Sequence, residues 1–312
     1  MARRPERSRR WLYINTVTNI LIGTASWTDK TLIECRRFYP REARSAEARL
    51  RYYATQFPIV EVDSSYYGIP TPANAQLWAE RTPDDFVFNV KAFRLFTGHQ
   101  TSPLVLPKDI QQALGPAAPK SLYYRDVPSK IRDELWRRFS EALEPLRQAG
   151  KLGAVHFQFA PWLLRNREGH AHVRDCVQRM AGCLVSVEFR NKTWFDGAHA
   201  AKTIAFEREL GVVHTVVDGP QGFANCVPCV WEVTHPELAL VRLHGRNQET
   251  WNIRSSAASS RFNYWYSSEE LKALKPEILK IADKAAKVHL LFNTNYEDQG
   301  QVNARLMRQL LT

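Results

Sequence analysis

The sequence predicts one closed (β/α)8 barrel of the TIM type, and three observations lead there. Eight short apolar runs rich in β-branched residues alternate with amphipathic stretches of helical period, which is the pattern of parallel βα units. At 312 residues, 44% apolar and 24% charged, the chain has the composition of a globular domain and not of a disordered or fibrous one. No apolar run approaches the roughly 18 residues of a membrane span. Length alone would allow two domains, but barrels of this class commonly fill about 200 to 250 residues as one.

The expected strands, in order, are 20–25, 59–64, 86–91, 154–159, 184–188, 212–218, 238–244 and 288–293. The expected helices are 44–57, 73–81, 130–149, 169–180, 198–210, 268–285 and 301–311. Two connections depart from a regular barrel. The stretch 219–236 holds Gly219, Pro220, Gly222, Pro228 and Pro236 without helical period, so the helix between the sixth and seventh strands is expected to be missing. The connection 92–128 is long and carries five prolines, as lids and binding loops do. Residues 20–312 then form the barrel domain, and residues 1–19 are expected to be a disordered basic arm.

Net charge is +11, and residues 1–10 contribute five arginines against Glu6, so the body is basic without them. Such an excess favours anionic partners: phosphorylated metabolites, nucleic acid or acidic surfaces. Ser8-Arg9-Arg10-Trp11-Leu12 has a twin-arginine look, but Asn15, Thr16, Thr18 and Asn19 interrupt the apolar stretch an export signal needs. The expected location is the cytoplasm, with five reduced cysteines (Cys35, Cys176, Cys183, Cys226, Cys229). Cys226 and Cys229 have C-x-x-C spacing, yet a zinc site needs two further ligands, so chance spacing in a loop is expected.

Successive side chains of a strand face opposite ways, and the more apolar set should meet the surrounding helices. By that rule Glu61, Asp63, Asn89, Lys91, His156, Gln158, Ser186, Glu188, Arg190, His214, Asp218, Arg242, His244, His289 and Asn293 face the barrel axis. A purely structural interior would be Val, Ile and Leu. Unpaired buried charges cost several kcal/mol each, so Glu61, Lys91, Glu188, Arg190 and Arg242 are expected to pair with one another around a solvated cavity. His156, His214 and His289 sit deeper than the strand ends and read as hydrogen-bonded core histidines. Lys91, Glu188, Arg242 and His244, at or near the carboxyl-terminal ends where barrel enzymes keep their chemistry, read as functional.

In Arg242-Leu243-His244-Gly245-Arg246, Gly245 permits close backbone approach and Arg242 or Arg246 offers planar donors to an oxyanion. The loop 246–266 beyond it mixes Arg254 and Arg261 with Trp251, Phe262, Tyr264, Trp265 and Tyr266. Arginines among aromatics suit a stacked base, a sugar ring or single-stranded nucleic acid.

Several motifs carry a family resemblance: Ile22-Gly23-Thr24-Ala25-Ser26-Trp27, Phe38-Tyr39-Pro40, Glu61-Val62-Asp63-Ser64-Ser65-Tyr66-Tyr67, Phe157-Gln158-Phe159, Val187-Glu188-Phe189-Arg190 with Trp194, the segment 242–246, Tyr264-Trp265-Tyr266, and Phe292-Asn293 with Asn303-Ala304. In this order, from about residue 20 to the end, they resemble the YecE-like family, domain of unknown function 72. The resemblance implies a TIM-like barrel and leaves the reaction open. It associates Glu61, Ser65, Tyr67, Lys91, Gln158, Glu188, Arg190, Arg242, His244, Gly245 and Asn293 with the family's pocket. Asp63 and Tyr66 stand where that family often has Asn and Phe. Phe292-Asn293-Thr294-Asn295 lacks the histidine that often follows the last strand.

The first functional reading is an enzyme acting on a small anionic substrate, a phosphorylated sugar, nucleotide or carboxylate, at the carboxyl-terminal mouth of the barrel. Glu188 and His244 would be the acid–base pair, Lys91 would stabilise developing charge, and Arg242, Arg190 and Arg246 would hold the anion. Glu61, Ser65, Tyr67, Gln158, Gly245, Trp251, Tyr264 and Asn293 would complete the substrate site. The second reading is a nucleic-acid binding or processing protein using the basic surface and the loop 246–266; the third is a non-catalytic ligand-binding barrel. No Gly-rich nucleotide fingerprint, P-loop or nucleophile elbow is present, so no cofactor is expected. Glu61, Glu188, Asp218, His214 and His244 are ligand types that would accept a divalent metal, but no spacing among them marks a site.

Overall fold

A computed structural model describes residues 19–116, 119–252 and 258–312. The expected arm, apart from Asn19, and Arg254 lie outside the described residues. The elements in chain order are β1 (Ile20–Ala25), α1 (Lys30–Cys35), α2 (Ala46–Gln56), β2 (Ile59–Val62), α3 (Ser64–Tyr67), α4 (Pro72–Glu80), β3 (Val87–Lys91), α5 (Lys108–Leu114), α6 (Ser129–Gln148), β4 (Leu152–Gln158), α7 (Arg167–Arg179), β5 (Val185–Glu188), α8 (His199–Glu209), β6 (Val213–Asp218), β7 (Leu238–Leu243), α9 (Gln248–Trp251), α10 (Ser268–Ala282), β8 (Lys287–Phe292) and α11 (Gln299–Leu311). The strands close into a parallel barrel in sequence order, with β1 paired to β8. All eight expected strands form, and no helix lies between β6 and β7.

Local chemistry sets the helix starts. The Ser45 and Thr71 side chains accept the backbone N–H groups of Ala48 and Asn74, and Ser267 and Glu270 make a capping box at the head of α10. On α6 the buried residues Leu135, Trp136, Phe139, Leu143 and Leu146 repeat at helical spacing and form the face turned to the barrel. No described helix is long and apolar enough to cross a membrane. Gly23 lets β1 approach β2: a Cβ there would stand 2.1 Å from the Ile59 carbonyl oxygen.

The interior is layered. Ile59, Ala154, Val213, Leu238, Leu240 and Leu291 form an apolar floor inside the barrel, distinct from the larger core between strands and helices. Polar residues begin with Asn89, whose Oδ1 accepts from Ala154 N (2.9 Å) and lies 3.0 Å from His289 Nδ1. Above it come His156 and Ser186, 2.9 Å apart, then the charged layer.

The sixth strand has the opposite phase to the one expected. Val187, which faces out, pairs with His214, and Val217 pairs with the inward Arg242; partners in a parallel ladder point the same way. His214 therefore faces α8, where its Nδ1 meets Glu207 Oε2 at 2.8 Å. Asp218 likewise points outward, to Arg246 and Tyr266. The rule that apolar residues face out fails on Val213-His214-Thr215-Val216-Val217-Asp218, because the apolar floor claims Val213 and a carboxylate on the neighbouring helix offsets the burial of His214.

Candidate functional site

Arg242, fully buried, centres the charged layer. Its Nη1 donates to Glu188 Oε2 (2.6 Å) and lies 3.2 Å from Gln158 Oε1, and its Nη2 donates to Glu61 Oε1 (2.5 Å). Glu188 also pairs with Arg190, and His156 Nε2 and His244 Nε2 each lie 3.4 Å from it. At the edge Lys91 Nζ stands 3.4 Å from Asp63 Oδ1 and 4.9 Å from the Tyr66 ring centre. Three cations (Lys91, Arg190, Arg242) thus meet three carboxyl groups (Glu61, Asp63, Glu188), which offsets most of their desolvation cost. The expected mutual pairing is present; instead of surrounding a solvated cavity, it fills the barrel.

This arrangement fixes the charges. Burial would raise Glu188, but Arg190 and Arg242 hold it well below the usual carboxylate range. Burial pushes Glu61 up to about 7 against the pull of Arg242, while Asp63, also opposed by burial, is drawn down by Lys91 and Arg242. Burial, reinforced by Arg190, pushes His244 down to about 3. Asn293 Nδ2 lies 2.7 Å from His244 Nδ1, and Arg190 Nη2, which can only donate, lies 3.3 Å from His244 Nε2. Glu188 is therefore a fixed carboxylate and His244 a neutral imidazole 3.4 Å from it. The expected general acid Glu188 has no proton to give at neutral pH, because two guanidiniums stabilise its charge.

Above this layer, at the carboxyl-terminal mouth, opens a cleft of about 300 Å³. Its floor is Gln158 and Arg190; its walls are Tyr66, Trp162, Trp251 and Phe262; its other polar groups are Arg94, His99, Asn225 and Arg261. Arg190 lies 5.1 Å from the centre of the Trp251 ring and Arg94 5.3 Å from that of Tyr66, as cations stack on aromatic faces. Trp251 Nε1 donates to Asn225 Oδ1 (3.2 Å), which ties α9 to the irregular stretch after β6. No carboxylate lines the cleft among the described residues.

Of the expected substrate residues, Gln158, Arg190 and Trp251 line this cleft, Arg242 and Glu61 support it from below, and Lys91 borders it through Tyr66. The others are placed elsewhere. Ser65 Oγ lies within 2.7 Å of the Val62 carbonyl and 2.6 Å of the Lys91 carbonyl, and so joins β2 to β3. Tyr67 is half exposed against Tyr66. Asn293 sets the His244 ring. Arg246 does not hold an anion: Asp218 takes its Nε and Nη2 (3.0 and 2.8 Å), because the outward phase of β6 delivers that carboxylate to it. Gly245 makes room for Tyr264 and not for a ligand, since at φ +79° a Cβ would stand 2.3 Å from the Tyr264 Cβ. Tyr264 itself bonds Glu270 at 2.5 Å.

Tyr66, Arg94, His99, Trp162 and Asn225 escaped the strand-based reading because they lie just past strand ends. One signal was available: Arg94 and His99 open the long proline-rich connection whose length already marked it as a binding loop. The C-x-x-C thiols are free, and burial pushes Cys229 up to about 12, away from the reactive thiolate. No group of three His, Cys, Asp or Glu side chains is placed to hold a metal ion among the described residues.

The family model of the protein of unknown function DUF72 matches residues 21–312. The chain belongs to the DUF72 family. It is 31% identical over 295 residues to the UPF0759 protein YunF of Bacillus subtilis (strain 168), covering 94% of each chain. A crystal structure of a DUF72 family protein from Enterococcus faecalis V583 superposes with a TM-score of 0.75 at 26% identity, over 94% of this chain and 95% of that one. A second, from Thermotoga maritima MSB8, gives 0.73 at 23% identity, over 94% and 99%. These likenesses run over 94% of this chain.

Proposed function

We propose that this DUF72 protein is an enzyme whose substrate is a small phosphate-bearing compound with a ring, bound in the cleft at the carboxyl-terminal mouth. One observation carries the reading: Arg94, Arg190 and Arg261 converge on a space with four aromatic walls and no carboxylate among its described lining. Guanidiniums bind phosphate oxygens through paired N–H groups, and aromatic faces accept a sugar or base. The buried layer beneath keeps Arg190 in place, since Glu188 and Gln158 hold its other donors. A cytoplasmic site of action fits a substrate of this class.

Isothermal titration with sugar phosphates, nucleoside monophosphates and phenyl phosphate tests this. At least one is expected to bind, and Arg94→Ala is expected to weaken it roughly 10- to 100-fold, the worth of a charge-assisted hydrogen bond. Unchanged affinity in that variant would remove the cleft as the site.

A second reading, single-stranded nucleic acid, draws on Trp162, which stands half exposed at the cleft rim. Its signature is salt: affinity for an oligonucleotide would fall steeply between 50 and 200 mM salt, about one power of salt for each phosphate contact, while a small phosphate compound would lose far less.

A further inference from the structure

The turn after β3 presents His99 to the cleft in one fixed tautomer. Thr97 Oγ lies 3.1 Å from the Arg94 carbonyl oxygen and 2.9 Å from His99 Nδ1. A hydroxyl has one proton and a carbonyl can only accept, so Thr97 donates to Arg94 and accepts from His99. Nδ1 therefore carries the ring proton. Nε2, on the opposite edge of a ring that lines the cleft, then keeps its lone pair. The backbone holds this geometry: His99 N donates to the Arg94 carbonyl (3.0 Å) and Trp162 Nε1 to the Gly98 carbonyl (2.9 Å).

The surroundings of the imidazole are cationic and aromatic. Lys91 from β3, Arg94 from the same turn and Arg190 from beyond β5 face it, with the rings of Tyr66 and Trp162 edge-on at 5.3 and 5.7 Å. Burial, then these three cations, push it down to about 3, so the cleft holds a neutral acceptor among N–H donors. A fully ionised phosphate would find every guanidinium useful and His99 repulsive, lone pair against lone pair. An anion that keeps one proton satisfies both.

We propose that His99 makes this cleft specific for a phosphomonoester bound as its hydrogen-phosphate form, the P–OH donated to Nε2 and the remaining oxygens held by Arg94 and Arg190. This rests on the reading of the cleft as a phosphate site and adds the protonation state that the site selects.

Titration of the full chain with phenyl phosphate between pH 5.5 and 8, at fixed salt and in two buffers of different ionisation heat, tests it. Above the second ionisation near pH 6, Kd rises about tenfold per pH unit and one proton is taken up per ligand bound. The diester methyl phenyl phosphate, which has no P–OH, binds about tenfold more weakly at pH 6. His99→Gln, which can turn an amide N–H to the ligand, reverses the slope, and Thr97→Val, which frees the tautomer, flattens it. Wild-type affinity that rises with pH without proton uptake overturns the proposal, and needs no variant to be read. Failure of phenyl phosphate to bind at any pH, or binding indifferent to Arg94→Ala, overturns the phosphate reading itself and this inference with it.

Discussion

Replacing Arg242 with methionine is expected to lower the unfolding free energy by about 3–5 kcal/mol, because it leaves two buried carboxylates without their central partner. The substitution keeps volume and apolar length, so packing contributes little to the loss. The deficit should also depend on pH. Glu61 already has a folded value near 7, raised by burial. A carboxyl raised in the folded state costs stability as pH climbs from its unfolded value through its folded one. Without Arg242 that folded value moves higher still, so the variant's deficit is largest at pH 8 and shrinks toward pH 5, where Glu61 is protonated in both proteins. Urea denaturation of both proteins at pH 5 and pH 8 measures the difference. An equal deficit at the two pH values would show that Glu61 is not the carboxylate left exposed to the loss.

The same layer shows how much was legible in the sequence. Strand phase is set by which face is apolar, and on β2, β3, β4, β5, β7 and β8 that rule turns the polar and charged residues inward as observed. It fails on β6, where Val213 and Val217 are as apolar as Val216 and the alternation carries no information. What decides there is Glu207 on α8, seven residues before His214 in the chain but outside the strand's own pattern. The site was legible to the same extent. Residues on strands could be placed, as Gln158 and Arg242 were, and so could Arg190, two residues past β5 in the same phase. Residues farther past strand ends have no period, so Arg94 and His99 could be located only by the turn that fixes them. Charge state was the least legible property. Glu188 looks like an acid in sequence and is held ionised in space, since only the fold brings Arg190 and Arg242 to the same carboxylate.

The pair that sets the β6 phase carries the second large effect. Both partners of His214 are acceptors, Glu207 Oε2 at 2.8 Å from Nδ1 and the Val230 carbonyl at 3.1 Å from Nε2, so both ring nitrogens donate and the imidazole is doubly protonated. Burial opposes that charge, but Glu207 prevails and the folded value is raised above 6.5. A histidine raised in the folded state stabilises fully below its unfolded value, and the stabilisation is lost as pH rises through the folded one. Glu207→Gln is therefore expected to cost about 2–3 kcal/mol near pH 6 and less as pH rises through the folded value of His214. The consequence reaches the cleft. Val230 belongs to the irregular stretch between β6 and β7, which Thr234 also pins through His214 N (2.7 Å), and which carries Asn225 to Trp251. Loosening it should speed amide exchange at residues 222–231 by roughly tenfold near pH 6, ahead of any change in the barrel strands. Exchange that accelerates evenly over the whole chain would instead mean that the ion pair supports global stability alone, and that the cleft wall does not depend on the charge of His214.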